Sequence, residues 1–416
     1  MFSNLVKMAL LAVALVLVVI VVGNVTPTAA DAPQAAPPTV VLPPPVATRT
    51  PPRVTPTGAA PKAPLRVVAT PTKAAAQPRS VKAAYGAAWT TSITYQNVGT
   101  GNATNIVASF YQAGSGTAYN TSTLSLNQGA GTSMYVGSVS TTPSLPSSFR
   151  GDVVFSSDQP LVSTAVQFVN DAAFKMRILS NGFQSSDRSN QYLIATTLLN
   201  KFNRTTVFSI QNTESAAVNA TVRFYDADAG GALASTITHN NIPAQSSKYI
   251  DMGVVADTGL TGYTTFNGSA IVTAVLASDG TTANVVAAVH EYYTDSNIAM
   301  AFEGVPLSRA ANTIYMATGL CQRYSLTTYY AVQNSSTTEG NNAKITVAYR
   351  NTDGTAKATD GPYTIGPGQK KSINTCAPSD LTNMANFTGS AVIISVGAQI
   401  VVIGKAQDGT AGQTHR

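Results

Sequence analysis

The side chains able to do chemistry are few in this chain, and their spacing suits very little of it. Its three histidines, His239, His290 and His415, stand far apart, and neither cysteine, Cys321 or Cys376, lies near one of them in sequence. Metal sites need three or four such ligands converging at bonding distance, and a nucleophile needs a base beside it. His290-Glu291 pairs a base with an acid, but inside an apolar run that reads as a strand. Neighbours in a strand point to opposite faces, so the two cannot serve one reacting atom. Asp226-x-Asp228 could open a calcium loop, yet the matching positions Gln112-x-Gly114 and Asn351-x-Asp353 do not preserve ligands, which favours a plain hairpin turn. No Gly-x-Ser-x-Gly, His-Glu-x-x-His, phosphate loop or Cys-x-x-Cys occurs. These residues predict no catalytic group, no cofactor and no metal.

What remains is contact chemistry. Tyr292-Tyr293 and Tyr329-Tyr330 are paired, so one member of each must face outward from a strand. With Trp89, these five aromatics are the candidate ligand-facing residues. A single tryptophan is few for a sugar-binding surface, which makes carbohydrate recognition the second reading rather than the first.

Contact residues need a frame, and composition indicates which. Only 11% of the 416 residues are charged, and Thr, Ser, Ala, Val, Asn and Gly dominate. That is the usage of β-branched strands joined by polar turns, in a chain long enough for two or three domains. The net charge of +6 invites a nucleic-acid reading until the charges are located. Eight of the 25 basic residues and one of the 19 acidic ones precede Ala87, leaving 17 and 18 in the rest. The strand-rich part is nearly neutral, and no nucleic-acid partner is expected.

The N-terminus carries an export signal. Met8 to Val22 contains only Met, Ala, Leu, Val and Ile, and Thr28 and Ala30 suit a signal-peptidase site before Asp31. Leu5 to Gly23 would also reach about 28 Å as a helix, close to a bilayer core of about 30 Å. Residues 1–30 are therefore a cleaved signal peptide or an uncleaved single-pass anchor. Residues 31–84, rich in Pro, Thr, Ala and Val, read as a disordered semi-rigid linker.

Beyond the linker, four landmarks recur three times in the same order. The first is Thr-Thr leading an alternating run into Gln-Asn, at Thr90 to Asn97, Thr205 to Asn212 and Thr327 to Asn334. Its Asn suits a left-handed turn position. A second alternating run follows, through Ile106, Ala108 and Phe110, then Val222 and Phe224, then Val347 and Tyr349. The third is a tight turn, Asn127-Gln128-Gly129, Pro243-Ala244-Gln245 and Gly366-Pro367-Gly368-Gln369. The fourth is Phe-x-Gly: Phe149 and Gly151, Phe266 and Gly268, Phe387 and Gly389. Each Phe reads as a core plug and each Gly as a point of close backbone approach. Six or seven short strands per copy predict an all-β chain of three tandem Ig-like β-sandwich repeats, at 85–188, 189–310 and 311–416.

With this order of landmarks the chain resembles exported bacterial cell-surface proteins carrying tandem Ig-like sandwich repeats, over about 330 residues from Ala87 on. The resemblance implies extracellular display with a structural or adhesive role and carries no catalytic residue across. The first copy departs from it by lacking a leading Tyr-x-x-Ala-Thr run like Tyr192 to Thr196. In an exported protein Cys321 and Cys376 are expected to form a disulfide worth ~3 to 4 kcal/mol. The expected partners are other surface proteins or extracellular polysaccharide, with the membrane reached only through an uncleaved N-terminal helix.

Overall fold

The computed structural model describes residues 83–171, 174–380 and 384–408. The expected signal or anchor, 1–30, and nearly all of the linker, 31–84, lie outside the described residues. The rest is almost wholly antiparallel β-structure.

The first repeat holds β1 (Thr90–Asn97), β2 (Ala103–Gln112), β3 (Ala118–Asn120), β4 (Leu124–Leu126), β5 (Gly131–Tyr135), β6 (Gly151–Ser156), β7 (Leu161–Asp171) and β8 (Phe174–Asn181). The second holds β9 (Gln191–Leu199), β10 (Arg204–Asn212), β11 (Val218–Asp226), β12 (Ala232–Ile242), β13 (Ser247–Asp251), β14 (Phe266–Leu276), β15 (Val285–Tyr293), β16 (Ala299–Glu303) and β17 (Val305–Pro306). The third holds β18 (Thr313–Cys321), β19 (Leu326–Asn334), β20 (Ala343–Asn351), β21 (Ala356–Ile365), β22 (Lys370–Asn374), β23 (Phe387–Gly397) and β24 (Ile400–Asp408). No ladder among the described residues joins strands of two repeats.

Each repeat has two sheets. In the second the orders are β13-β10-β15-β16 and β12-β11-β14-β9-β17, and in the third β22-β19-β24 and β18-β23-β20-β21. Alternate residues of the landmark strands, such as Ile345, Val347 and Tyr349 of β20, meet Tyr330 and Val332 of β19 in one buried core. The period-two pattern thus did what it must, turning one face of each sheet inward.

Strand order departs from the immunoglobulin arrangement, in which the first strand lies beside the second and the seventh beside the sixth. Here the leading strand pairs with the sixth (β9 with β14, β18 with β23), and the seventh with the second (β15 with β10, β24 with β19). The Thr-Thr landmark accounts for the crossing. Thr206 Oγ1 accepts from Leu198 N at 2.9 Å and Thr205 Oγ1 from Asn200 N at 3.3 Å, across a short turn that moves the chain from one sheet to the other. Thr328 and Thr327 repeat both bonds with Leu320 N and Gln322 N. The first repeat has no leading strand among the described residues, and there β6 pairs only with β2.

The Gln-Asn landmark has a use the sequence did not suggest. Asn97, Asn212 and Asn334 are extended and fully buried, not left-handed. Asn212 Nδ2 donates to the carbonyls of Ala216, Ile242 and Pro243 at 2.7 to 3.0 Å, and its Oδ1 accepts from Glu214 N. Asn97 makes the corresponding four bonds, and Asn334 all but the one to the turn's first carbonyl. Each Asn therefore latches the chain at the turn of the third landmark to the start of the next strand, while the neighbouring Gln donates to a carbonyl of that turn, Gly129, Gln245 or Gly368.

The repeats are not separate bodies. One hydrophobic core runs from Trp89, Val169, Met176 and Ile178 of the first repeat into Tyr292, Phe208 and Phe266 of the second. Strands β9, β10 and β15 of the second repeat are buried along nearly their whole length on both faces. At the positions of exposed Thr94 and Gln96 in β1, the second repeat has Ser209 and Gln211 and the third Ala331 and Gln333, all buried.

Candidate functional site

Phe149, Phe266 and Phe387 are each at most 5% exposed. A Cβ on Gly151, Gly268 or Gly389 would come within 1.9, 2.2 and 2.0 Å of the carbonyl oxygens of Tyr111, Tyr225 and Arg350, and within 2.8 Å of the preceding Phe ring. These positions are structural.

The cysteines are joined, with Cα atoms 4.9 Å apart. Cys321 ends β18 and Cys376 follows β22, so the bond ties the two sheets of the third repeat together.

Most of the expected ligand-facing aromatics are placed elsewhere. Trp89 and Tyr292 are each 3% exposed and meet at 5.5 Å in the seam between the first and second repeats, and Tyr330 is fully buried with its hydroxyl donating to Thr318 O. They look outward only when a repeat is considered alone; the neighbouring repeat or the sandwich itself covers them. Tyr293 is half-buried under the guanidinium of Arg204 at 4.6 Å. Tyr329 is the one of the five that is partly open and lines a cavity.

The His290-Glu291 pair divides as the strand rule requires. His290 stacks on Tyr292 at the first seam, and burial pushes its imidazole down to about 3. Asp226 and Asp228 form a turn, with Asp226 Oδ1 accepting from Asp228 N at 2.9 Å and Asp228 paired to Lys201 at 2.8 Å. Among the described residues no group of three or more His, Cys, Asp or Glu side chains is placed to hold a metal ion.

The two seams use the same parts of the fold. At the first, Ser246 Oγ donates to Gln112 O, Tyr249 OH donates to Gly151 O at 3.0 Å, and Arg150 lies 4.0 Å over the Tyr249 ring. At the second, Ser269 Oγ donates to Gly368 O at 2.8 Å and Gln333 Nε2 to Ala270 O at 3.1 Å. In both, the third-landmark turn and fifth strand of one repeat sit on the Phe-x-Gly end of the repeat before it.

The second seam also holds charge. Glu291, fully buried, pairs with Lys405 of β24 and lies 3.6 Å from Arg204, and the nearby cations hold its carboxyl below the usual range against the effect of burial. Beside them lies a cavity of about 350 Å³ between the second and third repeats, lined by Arg204, Lys370 and Lys405 with Asn267, Phe202 and Tyr329. Lys370 is 8% exposed, and burial, reinforced by Lys405, pushes its ammonium down to about 7. This is the most chemically distinctive place among the described residues. Burial of one repeat by the next created it, so only the pattern of repeats could have hinted at it.

No family model, curated protein or solved structure matches this chain.

Proposed function

We propose that the chain is a non-enzymatic extracellular surface-display protein, exported by its N-terminal segment, whose three β-sandwich repeats have a structural or adhesive role. The observation that carries this reading is the pair of buried seams, which make three modules into one packed body fit to hold a contact surface at a distance. A disulfide between the sheets of the third repeat is compatible with an oxidising compartment. Surface biotinylation and protease shaving of intact producing cells test it. Labelled, shaveable protein with no free thiol is the expected result; protein found only in the cytosol with both thiols reduced would overturn it.

Extracellular polysaccharide is the second reading. Tyr329 and the exposed Phe202, which is 62% accessible, favour it because both lie at the cavity of the second seam.

A further inference from the structure

We propose that the cavity between the second and third repeats binds the carboxylate of an acidic sugar, a uronate unit, with Lys370 as its principal charge partner. The inference deepens the polysaccharide reading and rests on it.

The argument begins with a charge imbalance. Among the described residues, Arg204 from β10, Lys370 from β22, Lys405 from β24 and Lys201 from the turn before β10 face two carboxylates, Glu291 from β15 and Asp228 from the turn after β11. Glu291 is taken up by Lys405 and Arg204, and Asp228 by Lys201 and by Asn267 Nδ2 at 2.9 Å. The ammonium of Lys370 is left over: it feels the charges of Glu291 and Asp228 but has no side-chain hydrogen bond or ion pair among the described residues, although the residue is only 8% exposed. A buried ammonium without a partner is costly to keep, and an incoming anion removes that cost. The Arg204 Nε and the Asn267 Oδ1 are fully buried with no hydrogen-bond partner.

The rest of the lining decides which anion. A bare inorganic ion would leave most of a 350 Å³ cavity empty, whereas a pyranose with its carboxylate fits. Ser372, Asn374 and Gln407 also line it; the amide oxygens of Gln407 and Asn374 already accept from Arg204 and from Cys376 N, which leaves their NH2 groups and the Ser372 hydroxyl for sugar hydroxyls, and the rings of Tyr329 and Phe202 offer apolar faces. Because the ammonium of Lys370 is held near 7, an anion that binds there brings a proton with it, so affinity falls as pH rises from about 6 to 8.5.

Titration calorimetry on the full chain with D-glucuronate, D-galacturonate, D-glucose and inorganic phosphate tests this. A uronate is expected to bind while glucose does not, with Lys370→Met weakening binding at least tenfold and Lys370→Arg retaining it. Phosphate binding as tightly as either uronate would overturn the sugar assignment, and unchanged uronate binding by Lys370→Met would overturn the role of Lys370. A parallel pull-down on neutral polysaccharide separates the two ideas. Retention there without uronate binding sinks this inference and leaves the polysaccharide reading standing; failure of both sinks both.

Discussion

The ring of Phe266 folds back over the Cα of Gly268, so close that a β-carbon on the glycine would lie 2.4 Å from the phenyl edge. The same glycine faces the carbonyl of Tyr225 across the ladder, and no side chain fits between them. Phe149 with Gly151 and Phe387 with Gly389 repeat the arrangement.

Phe266→Ala should therefore cost about 3 to 5 kcal/mol, the range for emptying a buried aromatic site. Gly268→Ala should also destabilise, by forcing ring and strand apart. Because the core of the second repeat continues into Trp89 and Val169, thermal melting followed by circular dichroism should show the first repeat losing structure with it.

The asparagine latches give a second expectation. Asn212→Ala removes three donated bonds and one accepted bond, leaving buried carbonyls unpaired at roughly 1 to 3 kcal/mol each. Asn212→Asp, which keeps shape but cannot donate, should be no better. Chemical denaturation of both variants checks this, and a loss under 1 kcal/mol would mean that water replaces the latch.

The first seam should answer to pH in two opposite ways. His290 is held at about 3 against an ordinary 6.5, so between these values the unfolded chain takes a proton that the native chain refuses, and stability falls as pH drops. Asp152, which opens β6 and is fully buried against Ser247 of the second repeat, is pushed up to about 8 by burial, so the native chain keeps a proton that the unfolded chain releases, and stability falls as pH rises from about 4 to 8. Relative to the parent, His290→Phe should gain melting temperature toward acid and Asp152→Asn toward pH 8, each limited to about 1.4 kcal/mol per pH unit. Parallel melting curves at all pH values would contradict both placements.

The disulfide closes 55 residues of chain, for which loop entropy gives about 4 kcal/mol. Peptide mapping without reductant should recover Cys321 linked to Cys376, and Cys321→Ser should lower the melting temperature. Two free thiols in exported protein would contradict the pairing.

Much of this was legible in the residues. Alternation marked the strands, and the recurring Phe-x-Gly marked core positions because large apolar and small residues at fixed spacing have few other uses. The stacking of repeats was not legible from alternation inside any single copy. Its trace is the loss of alternation in the second repeat, where Val285-Val286-Ala287-Ala288-Val289 is apolar throughout because both sheet faces are covered. Trp89 and Tyr292 were misplaced for the same reason: an aromatic that faces a neighbouring repeat has the same pattern as one that faces solvent. Lys370 was invisible because its counterpart in the second repeat is Ser247, and its burial depends on a neighbour more than a hundred residues away.

Scanning calorimetry of the intact chain tests the central claim, that the buried seams make the three repeats one body. The account predicts a single transition from the repeats, with calorimetric and van't Hoff enthalpies close to equal, moved as a whole by Phe266→Ala. Three resolved transitions, only one of them moved by that substitution, would contradict it.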